Sequence, residues 1–135
     1  MEVNLHIYSG IGNLIAIVDG IRNDLHISSK EVDHVYNFHS INFDQLIILL
    51  PPSDPQNDLD VKIFNNDGSI ASNCINGARC VGRFIKDNSL LASNKFKVKT
   101  DGGLCPHSLC NFRMAILAFL GILNHALFRA HSYFG

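Results

Sequence analysis

The chain has 135 residues, and 11 Lys and Arg residues nearly balance 12 Asp and Glu residues, for a formal net charge of −1. This length suits one domain that buries a core, and the charge balance predicts no attraction to nucleic acid or to an anionic membrane surface. The first residues lack the basic and apolar segments of a secretory signal. We therefore expect a cytoplasmic protein with reduced cysteines.

The cysteines and histidines do not predict a metal site. No Cys-x-x-Cys pair is present, and Cys105 and Cys110 with His107 between them are poorly spaced as zinc ligands. The seven histidines show no pairing at metal-binding or catalytic spacing. We expect a protein that holds no metal.

The first half of the chain contains clear strand and helix signals. A run rich in β-branched residues over 13–19 follows a glycine turn and predicts a buried strand. Ser28 and Glu31 have the capping-box spacing of a helix start. An apolar run over 45–50, stopped by Pro51, predicts a second buried strand.

The elements continue with a predicted strand over 61–64, which ends in the turn sequence 65–68 and favours a hairpin. Apolar residues then recur at helical spacing and predict a helix over 76–86. Strict alternation over 95–99 predicts a half-exposed strand. Because strands and helices do not follow a regular βαβ alternation, we expect an α+β fold.

The composition changes after residue 103. All twelve acidic residues and all six lysines precede this point, and 104–135 contains only Arg113 and Arg129 as fixed charges. From 112 to 128 the sequence lacks the polar face of an amphipathic helix, yet its apolar run is too short to cross a membrane. We interpret 1–103 as the domain and 104–135 as an apolar, non-family tail that is translated out of frame or degenerate.

Cys74 is the candidate reactive residue, because the N-terminus of the predicted helix faces it. Helix N-terminal N–H groups and the helix dipole stabilise negative charge, so a thiol there ionises readily and a carboxylate can be held nearby. The alternative is that Cys74 is a small buried hydrophobic residue, as most cysteines outside disulfides are. Cys80, further along the helix, is expected to serve in packing.

Four motifs follow one another in an order and spacing that resemble a known family. They are Gly-Ile-Gly-Asn at 10–13, Phe-Asp-Gln-Leu at 43–46, Ile-Phe-Asn-Asn-Asp-Gly-Ser at 63–69 and Cys-Ile-Asn-Gly-Ala-Arg-Cys at 74–80. Over residues 1–103 they resemble the N-terminal half of diaminopimelate epimerase, an isomerase of lysine and peptidoglycan-precursor biosynthesis. The resemblance implies one lobe of a two-lobed fold, a mixed sheet wrapped round a central helix, here incomplete.

The resemblance implies a reaction that needs neither PLP nor any other cofactor, the interconversion of LL- and meso-2,6-diaminopimelate. One cysteine thiolate removes the α-proton, and a second cysteine thiol delivers a proton to the opposite face. Cys74 matches the first catalytic cysteine of the family. The N–H groups of Ile75 and Asn76 would hold the α-carboxylate of the substrate.

Three amide side chains match substrate-contacting residues of the family: Asn13, Gln45 and Asn65. An amide both donates and accepts hydrogen bonds, which suits the ammonium and carboxylate groups of a diamino diacid. Each residue also has an ordinary alternative. Asn13 could cap a strand turn, Gln45 could be a strand end in solvent, and Asn65 could be a turn former.

The sequence departs from the family in two respects that bear on activity. Ile75 replaces the first glycine after the catalytic cysteine, and a β-branched residue would be strained there if the position required positive φ. The second catalytic cysteine of the family comes from a second lobe, and no cysteine in 104–135 is followed by glycine. We therefore expect an inactive or impaired epimerase. The alternative is a non-catalytic fragment that docks through its apolar tail, for instance as a homodimer.

Overall fold

The computed structural model describes residues 4–10, 12–22, 25–38, 42–71, 75–92, 96–100, 109–111 and 129–132. These residues form a seven-stranded mixed sheet with a helix on each face. The elements in chain order are β1 (Asn4–Gly10), β2 (Asn13–Asp19), α1 (Ser29–Phe38), β3 (Gln45–Leu50), β4 (Leu59–Asn65), α2 (Ile75–Asp87), β5 (Lys97–Thr100), β6 (Leu109–Asn111) and β7 (Arg129–Ser132). The described residues therefore have the predicted α+β fold.

The strand order in the sheet is β6-β5-β4-β3-β2-β1-β7. β2 is parallel to β3 and β4 is parallel to β5, whereas the other neighbouring pairs are antiparallel. Each parallel pair is joined through a helix, because parallel strands need a crossover connection. Both crossovers step in the same direction across the sheet, but β2 and β4 run in opposite directions. Crossovers of one hand therefore place α1 and α2 on opposite faces.

Alternation along the strands divides the core into two clusters, one on each face of the sheet. On β2, Ile15 and Ile17 belong to the cluster with α2, whereas Ala16 and Val18 belong to the cluster with α1. Because both faces are covered, the central strands are apolar at nearly every position. This burial explains why the sequence predicts the bounds of β2 and β3 correctly.

The start of α1 has the predicted capping box. The backbone N–H of Ser28 donates to Glu31 Oε2 at 2.6 Å, and the backbone N–H of Glu31 donates to Ser28 Oγ at 3.4 Å. Hydrogen bonds from the backbone and the side chain of Ser28 to the Glu31 carboxylate favour its ionised form and lower the pKa of Glu31. Such reciprocal bonds satisfy N–H groups that have no partner within the helix.

β1 is a strand that the sequence analysis did not predict. It pairs antiparallel with β2, and the connecting turn contains Gly12 at φ +87°. On the face toward α2, β1 carries His6 and Tyr8 instead of aliphatic residues, and both rings meet the ring of Phe84 edge-on. Burial lowers the pKa of His6 and raises that of Tyr8. Because a half-buried histidine and a buried tyrosine stand here in place of aliphatic residues, the sequence lacks the apolar alternation that predicts a strand.

The segment predicted to be a non-family tail contributes two short strands at the sheet edges. β6 pairs with β5, and β7 pairs with β1. The remaining residues of this segment lie outside the described residues, so the boundary after residue 103 stays a prediction. In the part of the chain that the structure describes, no helix is long and apolar enough to cross a membrane.

Candidate functional site

One end of the sheet carries the three amide side chains predicted to contact substrate, here called the amide cluster. Asn13 is the first residue of β2, Gln45 the first of β3 and Asn65 the last of β4. Because β2 and β3 are parallel and β4 runs antiparallel to them, the three positions fall at the same end. Gln45 lies directly opposite Asn65 in the ladder.

The amide cluster points toward the face of the sheet on which α2 packs. Residues two apart along a strand lie on the same face, and Ile15, Ile47 and Ile63 all belong to the core cluster with α2. Each of these isoleucines is two residues from one of the amides. All three amides are partly buried. The strand register therefore brings distant positions of the sequence together.

Hydrogen bonds connect two members of the cluster to the turn after β4. Gln45 Nε2 donates to Asn65 Oδ1 at 3.2 Å, and Asn65 Nδ2 donates to Ser69 Oγ at 3.0 Å. Asp67 Oδ1 accepts from Ser69 Oγ at 2.6 Å and from the Ser69 N–H at 2.9 Å. Both bonds lower the pKa of the Asp67 carboxyl. Within the described residues, Asn13 has no side-chain hydrogen bond to Gln45 or Asn65.

These contacts decide among the alternatives for two of the amides. Gln45 is half-buried and paired, so it is not a strand end in free solvent. Asn65 is a turn former as well as a cluster member, because its carbonyl accepts from the Gly68 N–H at 3.0 Å. Gly68 has φ +83°, and the turn brings the chain back to a bridge between Phe64 and Ile70. The predicted turn after β4 is confirmed, and the returning segment pairs with β4 through a single bridge instead of a second strand.

Asp44 holds the start of β3 against the start of β2. Its Oδ2 accepts from the Leu14 N–H at 2.7 Å, and its own N–H donates to the Leu14 carbonyl at 2.7 Å. The preceding Phe43 is buried and meets the ring of Tyr36 of α1 edge-on, at a centroid distance of 5.3 Å. The Phe-Asp-Gln motif thus anchors β3 to α1, ties it to β2 and adds Gln45 to the amide cluster. The sequence analysis did not single out Asp44.

The N-terminus of α2 points toward the end of the sheet with the amide cluster. At the opposite end, just beyond the last residue of β2, Arg22 Nη2 donates to the carbonyl of Asn88 at 3.2 Å, directly after α2. The 13 residues of α2 span about 20 Å, close to the length of a seven-residue strand. The N–H groups of the first turn, with Ile75 and Asn76 as its first residues, are therefore directed to the cluster end.

Cys74 directly precedes α2 in the sequence but lies outside the described residues. Ile75 is the first helical residue, and β-branched residues adopt helical backbone angles, so isoleucine is compatible with this helix start. Cys80 is buried in the core cluster with α2, which confirms its packing role. Among the described residues, no group of His, Cys, Asp or Glu side chains is arranged to hold a metal.

Sequence comparison relates the chain to one family. The family model described as "Diaminopimelate epimerase" matches residues 5–116. A diaminopimelate epimerase from Stutzerimonas stutzeri (strain A1501) is 41% identical over 96 residues, which is 70% of this chain and 35% of the relative. The chain thus spans about a third of the length of this curated relative.

Solved structures of low sequence identity share the fold. A phenazine biosynthesis protein of the PhzF family from Bacillus anthracis has a TM-score of 0.59 at 19% identity, covering 76% of this chain and 34% of its own. A methylitaconate-delta-isomerase has a TM-score of 0.57 at 18% identity, covering 75% of this chain and 32% of its own. These neighbours show the fold, and the sequence match over 5–116 shows that the chain belongs to the diaminopimelate epimerase family.

Proposed function

We propose that this chain carries one half of an epimerase site for 2,6-diaminopimelate, working without PLP or another cofactor. One observation carries the proposal: Asn13, Gln45 and Asn65 share one end and one face of the sheet, and the N-terminus of α2 is directed to the same end. Helix N–H groups suit a carboxylate, and amides suit the ammonium and carboxylate at the far end of a diamino diacid.

The α-carboxylate would bind the N–H groups of Ile75 and Asn76. Removal of the α-proton moves the C–H electron pair toward this carboxylate, so negative charge develops where the helix dipole and N–H groups stabilise it. A charged group at such a site gains about 0.3–2 kcal/mol. The α-proton is weakly acidic, and stabilisation of the developing charge is what makes its removal feasible.

Cys74 would be the base. A thiol next to a helix N-terminus has a lowered pKa, which increases the thiolate fraction at neutral pH. The thiolate takes the α-proton to form a thiol, and a second thiol returns a proton to the opposite face of the planar carbanion. In our proposal the second cysteine is not supplied by this chain, so the chain by itself is inactive or impaired as an epimerase.

Proton exchange tests the role of Cys74 without requiring full epimerisation. We expect the protein in deuterated water to exchange the α-proton of LL-diaminopimelate slowly, as followed by NMR, and we expect Cys74→Ser to abolish the exchange. Cys80→Ala is the matched control, because Cys80 is a core residue of α2. Exchange that persists in Cys74→Ser, or binding of diaminopimelate that cannot be detected at all, would refute the proposal.

The epimerase proposal is favoured over the docking role of the tail. β6 and β7, the described parts of 104–135, both pair within the sheet of the same chain, whereas the apolar run over 112–128 that the docking role would use lies outside the described residues. We also propose a cytoplasmic location, where the Cys74 thiol required by the proposal would stay reduced. Light scattering on the purified protein tests the homodimer, which is one form of the docking role and which the epimerase proposal does not require.

A further inference from the structure

A series of hydrogen bonds leads from the exposed Asp67 carboxylate into the amide cluster. The carboxylate determines which group donates and which accepts in each bond. An ionised carboxylate accepts hydrogen bonds and donates none. The 2.6 Å contact between Ser69 Oγ and Asp67 Oδ1 therefore uses the hydroxyl proton of Ser69. Ser69 Oγ is left with lone pairs only, so toward Asn65 it acts as an acceptor.

This direction determines the orientation of the two amides. Facing an acceptor, Asn65 places its NH₂ group toward Ser69 at 3.0 Å, which leaves its Oδ1 toward Gln45. Gln45 then donates through Nε2 at 3.2 Å, and its own Oε1 is directed away from Asn65. No donor among the described residues engages Gln45 Oε1. The oxygen and nitrogen ends of an amide have nearly the same shape, so hydrogen bonding decides between its two orientations.

We propose that Asp67 and Ser69 are positioning residues that orient the Asn65 and Gln45 amides, so that the site presents the Gln45 carbonyl oxygen to an N–H donor of the ligand. The donor class is an ammonium group, as in an amino acid. This identification of the ligand rests on the proposed function, whereas the orientation of the amides follows from the contacts alone.

The turn holds Asp67 and Ser69 in place before any ligand binds. The backbone N–H of Ser69 also donates to Asp67 Oδ1 at 2.9 Å, and the backbone N–H of Asn65 donates to the Ser69 carbonyl at 2.8 Å. An aspartate carboxylate is ionised at neutral pH, and the bonds from Ser69 lower the pKa of Asp67 further below its ordinary value. Asp67 therefore remains a hydrogen-bond acceptor, and not a donor, under physiological conditions.

The test is NMR of the side-chain NH₂ groups in the full chain, without ligand. In Ser69→Ala, we expect the NH₂ protons of Asn65 and Gln45 to exchange with water about fivefold faster, as expected when one typical hydrogen bond is lost. Ser69→Thr keeps the hydroxyl and should restore slow exchange. A merely structural loss of the turn would also change backbone shifts throughout 65–69, which Ser69→Ala is expected to leave largely in place.

Asp54→Asn is the matched control. Asp54 Oδ1 accepts from the Gln56 N–H at 2.9 Å, the same contact over two residues that Asp67 makes, but in the loop at the opposite end of β3. We expect this variant to leave the Asn65 and Gln45 NH₂ groups unchanged, and Asp67→Asn to alter them. Exchange that is unaltered in Ser69→Ala, or altered equally in Asp54→Asn, would overturn the proposal.

Titration with LL-diaminopimelate separates this inference from the proposed function. Affinity that falls about fivefold in Ser69→Ala and recovers in Ser69→Thr supports both. If the unliganded spectra change as expected but the unaltered protein binds no diaminopimelate, the positioning role stands and the proposed function fails. If NH₂ exchange changes and diaminopimelate affinity does not, the orientation has no role in ligand binding, and that part of the inference is wrong.

Discussion

Gly68 and Gly12 allow a sharp test of how the cluster end of the sheet is built. Both have positive φ, +83° at Gly68 and +87° at Gly12. They differ in their surroundings. A Cβ added at Gly68 would overlap the backbone carbonyl oxygen of Ser29 at the start of α1. A Cβ at Gly12 would meet no atom of the described residues within 4 Å.

The expected cost of an alanine has two parts. The left-handed backbone costs alanine about 1–2 kcal/mol at either position. At Gly68 the added Cβ would overlap the backbone carbonyl of Ser29. Because backbone cannot rotate aside as a side chain can, the turn must move away from α1. Overpacking of this kind costs about 1–3 kcal/mol more. We therefore expect Gly12→Ala to lose about 1–2 kcal/mol and Gly68→Ala about 2–5 kcal/mol of unfolding free energy.

Urea unfolding followed by circular dichroism measures both values in the full chain. Thermal unfolding gives a second reading, in which Gly68→Ala should lower Tm by roughly 10 °C. Gly68→Asn separates the two costs, since asparagine tolerates positive φ but still carries the Cβ. We expect this variant to keep the loss caused by overpacking. Equal losses in Gly68→Ala and Gly12→Ala, within about 0.5 kcal/mol, would show that the turn is not packed on α1 as described.

Variants at two further residues test the starts of β3 and α1. Asp44→Ala removes the acceptor of the Leu14 N–H, so we expect a loss of about 1 kcal/mol by urea unfolding and weaker diaminopimelate binding, whereas Asp44→Asn, which keeps an acceptor, should lose less. Equal effects of the two Asp44 variants would contradict this role. For Glu31, the folded-state pKa is lowered from its ordinary 4.5, so its stabilisation is present above pH 4.5 and is lost as the pH falls through the folded-state value. The Tm advantage of the unaltered protein over Glu31→Gln should therefore vanish at low pH, and a difference independent of pH would refute the assignment.

The elements that the sequence predicted well are those with local signals. Because they are buried on both faces of the sheet, the strands over 13–19 and 45–50 are continuous apolar runs. The capping box of Ser28 and Glu31 indicates the start of α1. β1 has no such signal, because its face toward α2 carries the half-buried His6 and the buried Tyr8 instead of aliphatic residues. Such a strand is identified only from its pairing with β2 and its packing against α2.

The candidate site depends on contacts between distant residues, and local patterns do not reveal these. The residues alone left Asn13, Gln45 and Asn65 open between site and turn roles, and the family resemblance favoured the site. Gln45 and Asn65 meet because β3 and β4 pair in one register across 20 positions of sequence. Asp44 was missed because its partner is a backbone N–H of another strand, which leaves no trace in the pattern of residue types. The role of Cys74 stays a prediction.

The two ends of the sheet differ in how they can accept insertions and deletions during evolution. The loop 51–58 joins β3 to β4 far from the amide cluster, and most of its residues are exposed, so added residues need not disturb the strand register. Between Asn65 and Ser69, one added residue would break the side-chain contacts, and one added within β4 would turn Asn65 to the other face. We expect insertions and deletions among homologues of this lobe to occur mainly in the loop 51–58, and the number of residues between Asn65 and Ser69 to be constant.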